Sequence, residues 1–443
     1  MSEVKFVREY ETIIGNKEYE ERYDHCIDEE NFNSLIDFIK EYKEENDSED
    51  VLNFMKIIYN RGPKEVISIQ NYVGLIQFKN GYKIQILPKI DLENKSLNNI
   101  DGIQKETQII LWKMLSSMHD FPSKSFNIAD IDSKEINLYE IFIRMYISEL
   151  SDVIKKGIIS SYSNKNENIN TIKGKILMNR HIQKNIIHKE KFYCNYDEYN
   201  VDNPENRIIK ATLLKLLKFS KNSQNVKIIK RLILNFENVS LVTNYDAELK
   251  KYTINRQNKQ YEFILKWSKI FLCNKSFTNF SGENTARALL FKMDRLFEAY
   301  VSKRVRQEIK NDFKVYTQNQ SEYLFDIPKK RFGLKPDIII KNNNNEVIAI
   351  LDTKWKRLSN KYNNYDISKD DMYQMYVYAK KYKTNNIFLI YPLNTEMKKY
   401  KNGEIYYKSD DGVNVTILFV EFNVNSHNRV EDNIKNIIEI VNK

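Results

Sequence analysis

The feature that most constrains this chain is a pair of apolar runs separated by a short polar tip and ending in charge. "KPDIIIK" leads through "NNNN" into "EVIAILDTKW". The tip, Lys341 to Asn345, is the one low-complexity patch and suits a hairpin turn. In an antiparallel hairpin the start of one strand lies beside the end of the next. Asp337 therefore comes next to Asp352 and Lys354. Side chains alternate along a strand, so Asp352 and Lys354 share a face. Two carboxylates and an ammonium converge at one end of a buried sheet.

Adjacent carboxylates repel, and burying them uncompensated is costly. A hard divalent cation removes the conflict. Magnesium prefers oxygen ligands and is commonly held by one or two carboxylates plus substrate phosphate. Manganese is expected to be able to substitute. Lys354 can then hold an attacking water or steady charge on a phosphate. That is the chemistry of phosphodiester hydrolysis. The bland alternative is a structural ion-pair cluster, since a lone DxK is a weak motif. Three further residues stand near it. Glu298 lies in "MDRLFEAYV", upstream of the hairpin. Gln374 and Tyr378 lie four apart in "YQMYVYA", on one face of a helix that follows the second strand. Ser368 can cap that helix, with Asp371 closing a capping box.

At 443 residues the chain is too long for one ordinary domain. Its texture suggests three segments. Residues 1–100 read as a small α+β or β-rich module. It has a helix over 31–57, then a hairpin, "YVGLIQFKNGYKIQILPKI", turning at Asn80-Gly81. "DLENKSLNNIDG" follows as a linker. Residues 101–280 read as mainly helical, from apolar stripes of helical period in "TQIILWKMLSSM", "LYEIFIRMYISELSDVIKKG" and "NRIIKATLLKLLKF". Gly157 stands where a C-cap glycine belongs, and Asn203-Pro204 starts a helix cleanly. Residues 281–443 read as an α/β domain. A long amphipathic helix, "TARALLFKMDRLFEAYVSKRVRQEI", is followed by strands, a helix and two more strands in a mixed sheet.

Composition excludes some classes. No apolar run reaches bilayer length, and the charged N-terminus lacks the apolar core of a signal peptide. A cytoplasmic protein without a membrane partner is expected. Cys26, Cys194 and Cys273 are scattered and form no CxxC pair, so neither a zinc ribbon nor a disulfide framework is supported. His181 and His188 are seven apart, and two polar-face histidines describe them better than a metal site does. The formal net charge of +10 makes an anionic partner plausible, and nucleic acid is the commonest. No GxxxxGKS or GxxxxGKT occurs, so no nucleotide is expected on this chain.

"GLKPDIII…AILDTKWK…YQMYVYA" resembles the PD-(D/E)XK nuclease fold in its variant with a downstream QxxxY. More narrowly the chain resembles the McrC family, the nuclease subunits of McrBC modification-dependent restriction systems. "MDRLFEAYV", the Asn80-Gly81 hairpin, "NLYEIFIRMYISEL…GIISSY" and "DNPENRIIKATL" carry that resemblance along most of the chain. It implies that Asp337 and Asp352 are metal ligands and Lys354 the catalytic lysine, with Glu298, Gln374 and Tyr378 in support. It also implies double-stranded DNA as substrate and a McrB-like AAA+ GTPase as partner. That partner would recognise modified DNA, typically 5-methylcytosine, and move along it. The expected activity is magnesium-dependent endonucleolytic cleavage, with stimulation of the partner's hydrolysis. Two other readings stay open: a self-sufficient nuclease of the same fold in repair or defence, and a non-catalytic adaptor regulating a partner NTPase. Residues 1–100 are expected to dock the AAA+ partner, because no chemistry is found in them, and within them the first sixty or so residues have no assigned role of their own.

Overall fold

The computed structural model describes residues 4–45, 54–60, 62–78, 80–91, 100–118, 138–242, 244–256, 258–273, 286–309, 313–318, 321–401, 403–425 and 430–441. The chain forms two compact units, Met1–Ile136 with Gly282–Lys443, and Asn137–Ser281. Three consecutive segments would divide it otherwise. The physical reason for the difference is a strand. Ala286–Lys292 pairs antiparallel with Tyr72–Phe78 and completes a four-stranded sheet with Val4–Arg8 and Lys83–Leu87.

That strand also corrects the long helix expected from residue 285 onward. The helix spans only Met293–Glu308. Leu289, Leu290 and Phe291 are all buried in succession, and so short an apolar run does not reveal its type by periodicity. Gly74 allows the pairing to close. It has φ +140°, and a Cβ there would lie 1.9 Å from the Leu289 carbonyl oxygen. Tyr72–Phe78 and Lys83–Leu87 form the expected hairpin, with Gly81 at φ +89° in the turn. Asn80 Oδ1 accepts from the Tyr82 N–H at 3.0 Å, and its amide donates to Asn31 Oδ1 at 2.7 Å. The helix expected over 31–57 spans Glu29–Glu45, and Met55–Tyr59 is instead a strand paired with Glu65–Ile69. Residues 92–99 of the expected linker lie outside the described residues, and a helix begins at Ile100.

The same unit holds a six-stranded mixed sheet. Its order is Phe313–Thr317, Ile338–Asn342, Val347–Thr353, Asn386–Pro392, Asn414–Val420, Ile405–Lys408. Val347–Thr353 runs antiparallel to Ile338–Asn342 and parallel to Asn386–Pro392. A parallel neighbour needs a crossover, and the helix Lys369–Tyr382 supplies it. Ser368 caps this helix by accepting from the Asp371 N–H at 3.0 Å. Its buried residues Met375, Tyr378, Ala379 and Tyr382 share a core with Ile339, Ile350, Ile387 and Leu389. Phe297 of Met293–Glu308 meets Trp355 edge to face at 5.2 Å.

The second unit is built on helices Leu138–Lys155, Pro204–Phe219, Ser223–Leu234 and Glu262–Cys273. Gly157 takes φ +102° just past the first of them. Asn203 accepts from the Asn206 N–H, with Pro204 at the first turn. The fully buried Asn206 donates to the carbonyls of Ile159 and Val201, both at 2.8 Å. The mainly helical expectation missed an antiparallel sheet in which Phe192–Asn200 pairs with Ser161–Ile169 and Lys175–Ile176. These long strands lack apolar alternation because polar cross-strand contacts hold them. Asn164 donates to Asp197 at 2.9 Å, and Asn195 donates to Asn166 at 2.9 Å. His181 lies in the short helix Met178–Lys184, 2.8 Å from the Asn185 amide. His188 lies beyond that helix beside Glu190, so the two histidines share no helix face.

Candidate active site

The hairpin Ile338–Asn342/Val347–Thr353 sets Ile338 opposite Leu351. Just outside this register Asp337 meets Thr353. The Thr353 N–H and hydroxyl both donate to Asp337 Oδ2, at 2.7 Å each. Asp352, on the opposite face of the strand from Thr353, is 2 % exposed. Lys354 Nζ lies 2.9 Å from Asp352 Oδ2 in an ion pair, and among the described residues this oxygen has no aligned hydrogen bond. Lys354 is anchored by its backbone N–H on the Ile390 carbonyl at 2.9 Å.

The crossover helix aims the lysine. Lys354 Nζ donates to Gln374 Oε1 at 3.1 Å, and Gln374 Nε2 donates to the Tyr378 hydroxyl at 2.7 Å. Asp371 Oδ1 stands 3.6 Å from the same ammonium. Four of the residues singled out from sequence, Asp352, Lys354, Gln374 and Tyr378, thus form one contact chain, and Asp337 is tied to it through Thr353, the residue between Asp352 and Lys354. Glu298 approaches from the helix Met293–Glu308. Its Oε1 accepts from Gln318 Nε2 at 2.8 Å, and the Gln318 N–H donates to the Asp337 carbonyl at 3.1 Å. Thr353, Asp371 and Gln318 were not foreseen. Only Asp371 carried a sequence signal, and that signal pointed to capping.

The electrostatics are those of crowded acids. Burial, then the charge of Asp337, pushes Asp352 up to about 7 against the pull of Lys354. Burial raises Asp337 too, although its bonds from Thr353 oppose the rise. Glu298 is lifted to about 6 by burial and by Asp337. Burial alone would lower the Lys354 ammonium. The carboxylates of Asp352, Asp371 and Asp337 outweigh that and hold it above the ordinary lysine value. A hard cation would relieve this repulsion, and carboxylate oxygens are the donors magnesium prefers. Among the described residues no three His, Cys, Asp or Glu side chains form a metal-holding group. The donor set on offer is the pair Asp337 and Asp352, which fits an ion that keeps waters and takes substrate oxygens.

The McrBC 5-methylcytosine restriction system component family matches residues 67–392. This chain belongs to that McrBC family. No curated protein matches it. Among solved structures it is similar to a chain of the refined half-complex from the tetradecameric assembly of Thermococcus gammatolerans McrB AAA+ hexamers with bound McrC. The TM-score is 0.68 and the identity 18 %, over 99 % of each chain. A second match, in the cryo-EM structure of the Thermococcus gammatolerans McrBC complex, has a TM-score of 0.48 and 19 % identity. It covers 70 % of this chain and 88 % of that one. The first likeness is one of fold, along the whole chain. No helix among the described residues is long and apolar enough to cross a membrane.

In this McrBC family member a further carboxylate backs the site. Glu9 is 1 % exposed, and its Oε1 accepts from Trp355 Nε1 at 2.7 Å and from the Lys89 N–H at 2.8 Å. Among the described residues its Oε2 has no hydrogen-bond partner. Burial pushes Glu9 up to about 7, against both of those bonds. Trp355 is the neighbour of Lys354, so Glu9, just past the strand Val4–Arg8, braces the end of the Asp337 hairpin.

Proposed function

We propose that this chain is the nuclease subunit of an McrBC-like restriction system, a PD-(D/E)XK enzyme that cleaves DNA in the cytoplasm with magnesium. The single observation that carries this reading is the convergence of Asp337, Asp352 and Lys354 at the end of one hairpin. Asp337 and Asp352 would hold the ion, and manganese would also satisfy their oxygens. Magnesium, when bound, supplies a Lewis acid and a more acidic water. Thr353 fixes the Asp337 carboxylate in one orientation. Asp352 keeps Lys354 charged, and Gln374, itself held by Tyr378, aims the ammonium. Lys354 then steadies negative charge on the reacting phosphate or holds the attacking water. Glu298 adds a carboxylate at the edge of the pair.

Recognition of modified cytosine and movement along DNA belong, in this reading, to a separate McrB-like AAA+ GTPase. The support is family membership together with a fold like that of a chain in an assembly of McrB hexamers with bound McrC. The test is cleavage of methylated and unmethylated duplex by the full chain, with and without that partner, magnesium and GTP. Cleavage that needs magnesium and vanishes in Asp352→Asn supports the proposal. Full cleavage by purified Asp352→Asn would falsify the site assignment.

A further inference from the structure

Between the strands Phe313–Thr317 and Ile338–Asn342 the chain makes a small antiparallel hairpin, Glu322–Phe325 with Arg331–Leu334. Among the described residues it is a two-stranded sheet of its own and joins none of the larger ones. Every residue from 325 to 333 is exposed. Among them are three large apolar side chains, Ile327 at 88 %, Phe332 at 69 % and Phe325 at 56 %. The two phenylalanine rings meet edge to face at 6.0 Å. Phe332 does so from φ +55°, a conformation that bulky residues rarely adopt. Solvent exposure of such a cluster is unfavourable, and an apolar patch rimmed by polar residues marks an interaction site.

The rim is basic. Lys329, Lys330, Arg331 and Lys335 outnumber Glu322 and Asp326 in the same stretch, and Asp326 is already paired with Lys381 at 3.1 Å. Lys330 lies over the Tyr323 ring at 5.6 Å. The hairpin is also fixed beside the candidate site. Its last strand ends three residues before Asp337. The Tyr382 hydroxyl donates to the Leu334 carbonyl at 3.2 Å, and Lys381 holds Asp326. Both anchors stand on the helix that presents Gln374 and Tyr378 to Lys354. From Gln374 to Tyr382 that helix rises roughly 12 Å. Along one DNA strand this corresponds to about three or four nucleotides.

We propose that the tip of this hairpin grips double-stranded DNA next to the active site. Lys329, Lys330 and Arg331 contact backbone phosphates, and Ile327 and Phe332 bear on the adjoining groove. Charge complementarity selects the occupant. A basic rim around an apolar centre matches a polyanion with stacked bases inside it, and phosphate contacts position a protein without reading sequence. The placement of the duplex rests on the nuclease reading above, whereas the grip itself is testable without cleavage.

The experiment uses the full chain and a fluorescein-labelled duplex of about 30 base pairs, spanning roughly three helical turns. Anisotropy is read with calcium in place of magnesium, across a salt series. Lys329→Ser/Lys330→Ser/Arg331→Ser, all at exposed positions, should weaken binding about 10- to 100-fold near 0.1 M salt. It should also flatten the log–log salt slope by roughly two to three, about 0.9 for each phosphate no longer neutralised. Ile327→Ser/Phe332→Ser should weaken binding several-fold and leave the slope alone. Wild-type affinity and slope in the triple variant would overturn the proposal, as would a wild-type chain that binds no duplex at low salt. Loss of AAA+ partner capture with DNA binding intact would overturn it too, and make the tip a protein-docking element. Tip-dependent binding by a chain that never cleaves counts against the nuclease reading alone. Cleavage with tip-independent binding counts against this proposal alone.

Discussion

Replacing Glu9 with glutamine should stabilise the first unit at alkaline pH and leave it nearly unchanged in mild acid. Glu9 carries a proton in the folded chain up to about pH 7, against an ordinary glutamate value of 4.5. Below pH 4.5 the carboxyl is protonated folded and unfolded alike, and its contribution to stability is fully present. Between pH 4.5 and 7 the unfolded chain releases the proton while the folded chain keeps it, so stability falls as pH rises. Above pH 7 the loss is complete. A gap of this size, at 1.36 kcal/mol per pKa unit, is about 3 kcal/mol. Glutamine never ionises and so escapes the loss. Its carbonyl can still accept from Trp355 and Lys89. Its amide takes the place of the unpartnered Oε2, a buried polar group costing about 1 kcal/mol or more. The net gain at pH 8 should be about 2 kcal/mol, or roughly 3 °C in the thermal midpoint of a unit this large. Melting both proteins at pH 5 and pH 8 without divalent metal isolates the effect, because titrations common to both cancel. An equal shift at the two pH values, or a variant less stable at pH 8, would refute the reasoning.

Other consequences can be measured alongside. Glu298→Gln should lower cleavage by about 10- to 100-fold, as removal of a supporting carboxylate commonly does. Activity as low as in Asp352→Asn would make Glu298 a metal ligand, and wild-type activity would make it a bystander. Gly74→Ala should cost more than about 4 kcal/mol or leave the chain insoluble, because its Cβ would overlap the Leu289 carbonyl. A soluble variant with the wild-type midpoint would contradict the close approach of these strands. A chain cut after residue 280 should fail to fold its first unit, since Tyr72–Phe78 loses Ala286–Lys292 and Glu9 loses Trp355. Residues 137–281 alone should melt cooperatively. Circular dichroism melts of the two fragments decide both points.

The Asp337 hairpin was legible in sequence because everything that makes it is local: two apolar runs, a short polar turn and charges at matching ends. The capped helix carrying Gln374 and Tyr378 was legible for the same reason. Ala286–Lys292 was not, since its partner strand lies some 200 positions earlier and its apolar run suits a helix equally well. The sheet of Ser161–Ile169 and Phe192–Asn200 escaped because asparagine and charged pairs replace the apolar alternation by which strands are recognised. Glu9 had no signal at all. Its role comes from an indole 346 positions away, and nothing in "VREYE" marks it as buried.

The pairing of Tyr72–Phe78 with Ala286–Lys292 has a consequence for how the protein is made. During synthesis the first sheet emerges with one apolar edge bare, and its missing strand follows roughly 200 residues later, about 10–40 s at ordinary translation rates. The unit over 137–281 leaves the ribosome complete within that interval and can fold in the meantime. A bare strand edge invites pairing with other chains, so this window is the hazardous one. Asp337 and Asp352 are translated only after the sheet can close, so a copy released before residue 286 has neither a sealed first sheet nor the two aspartates.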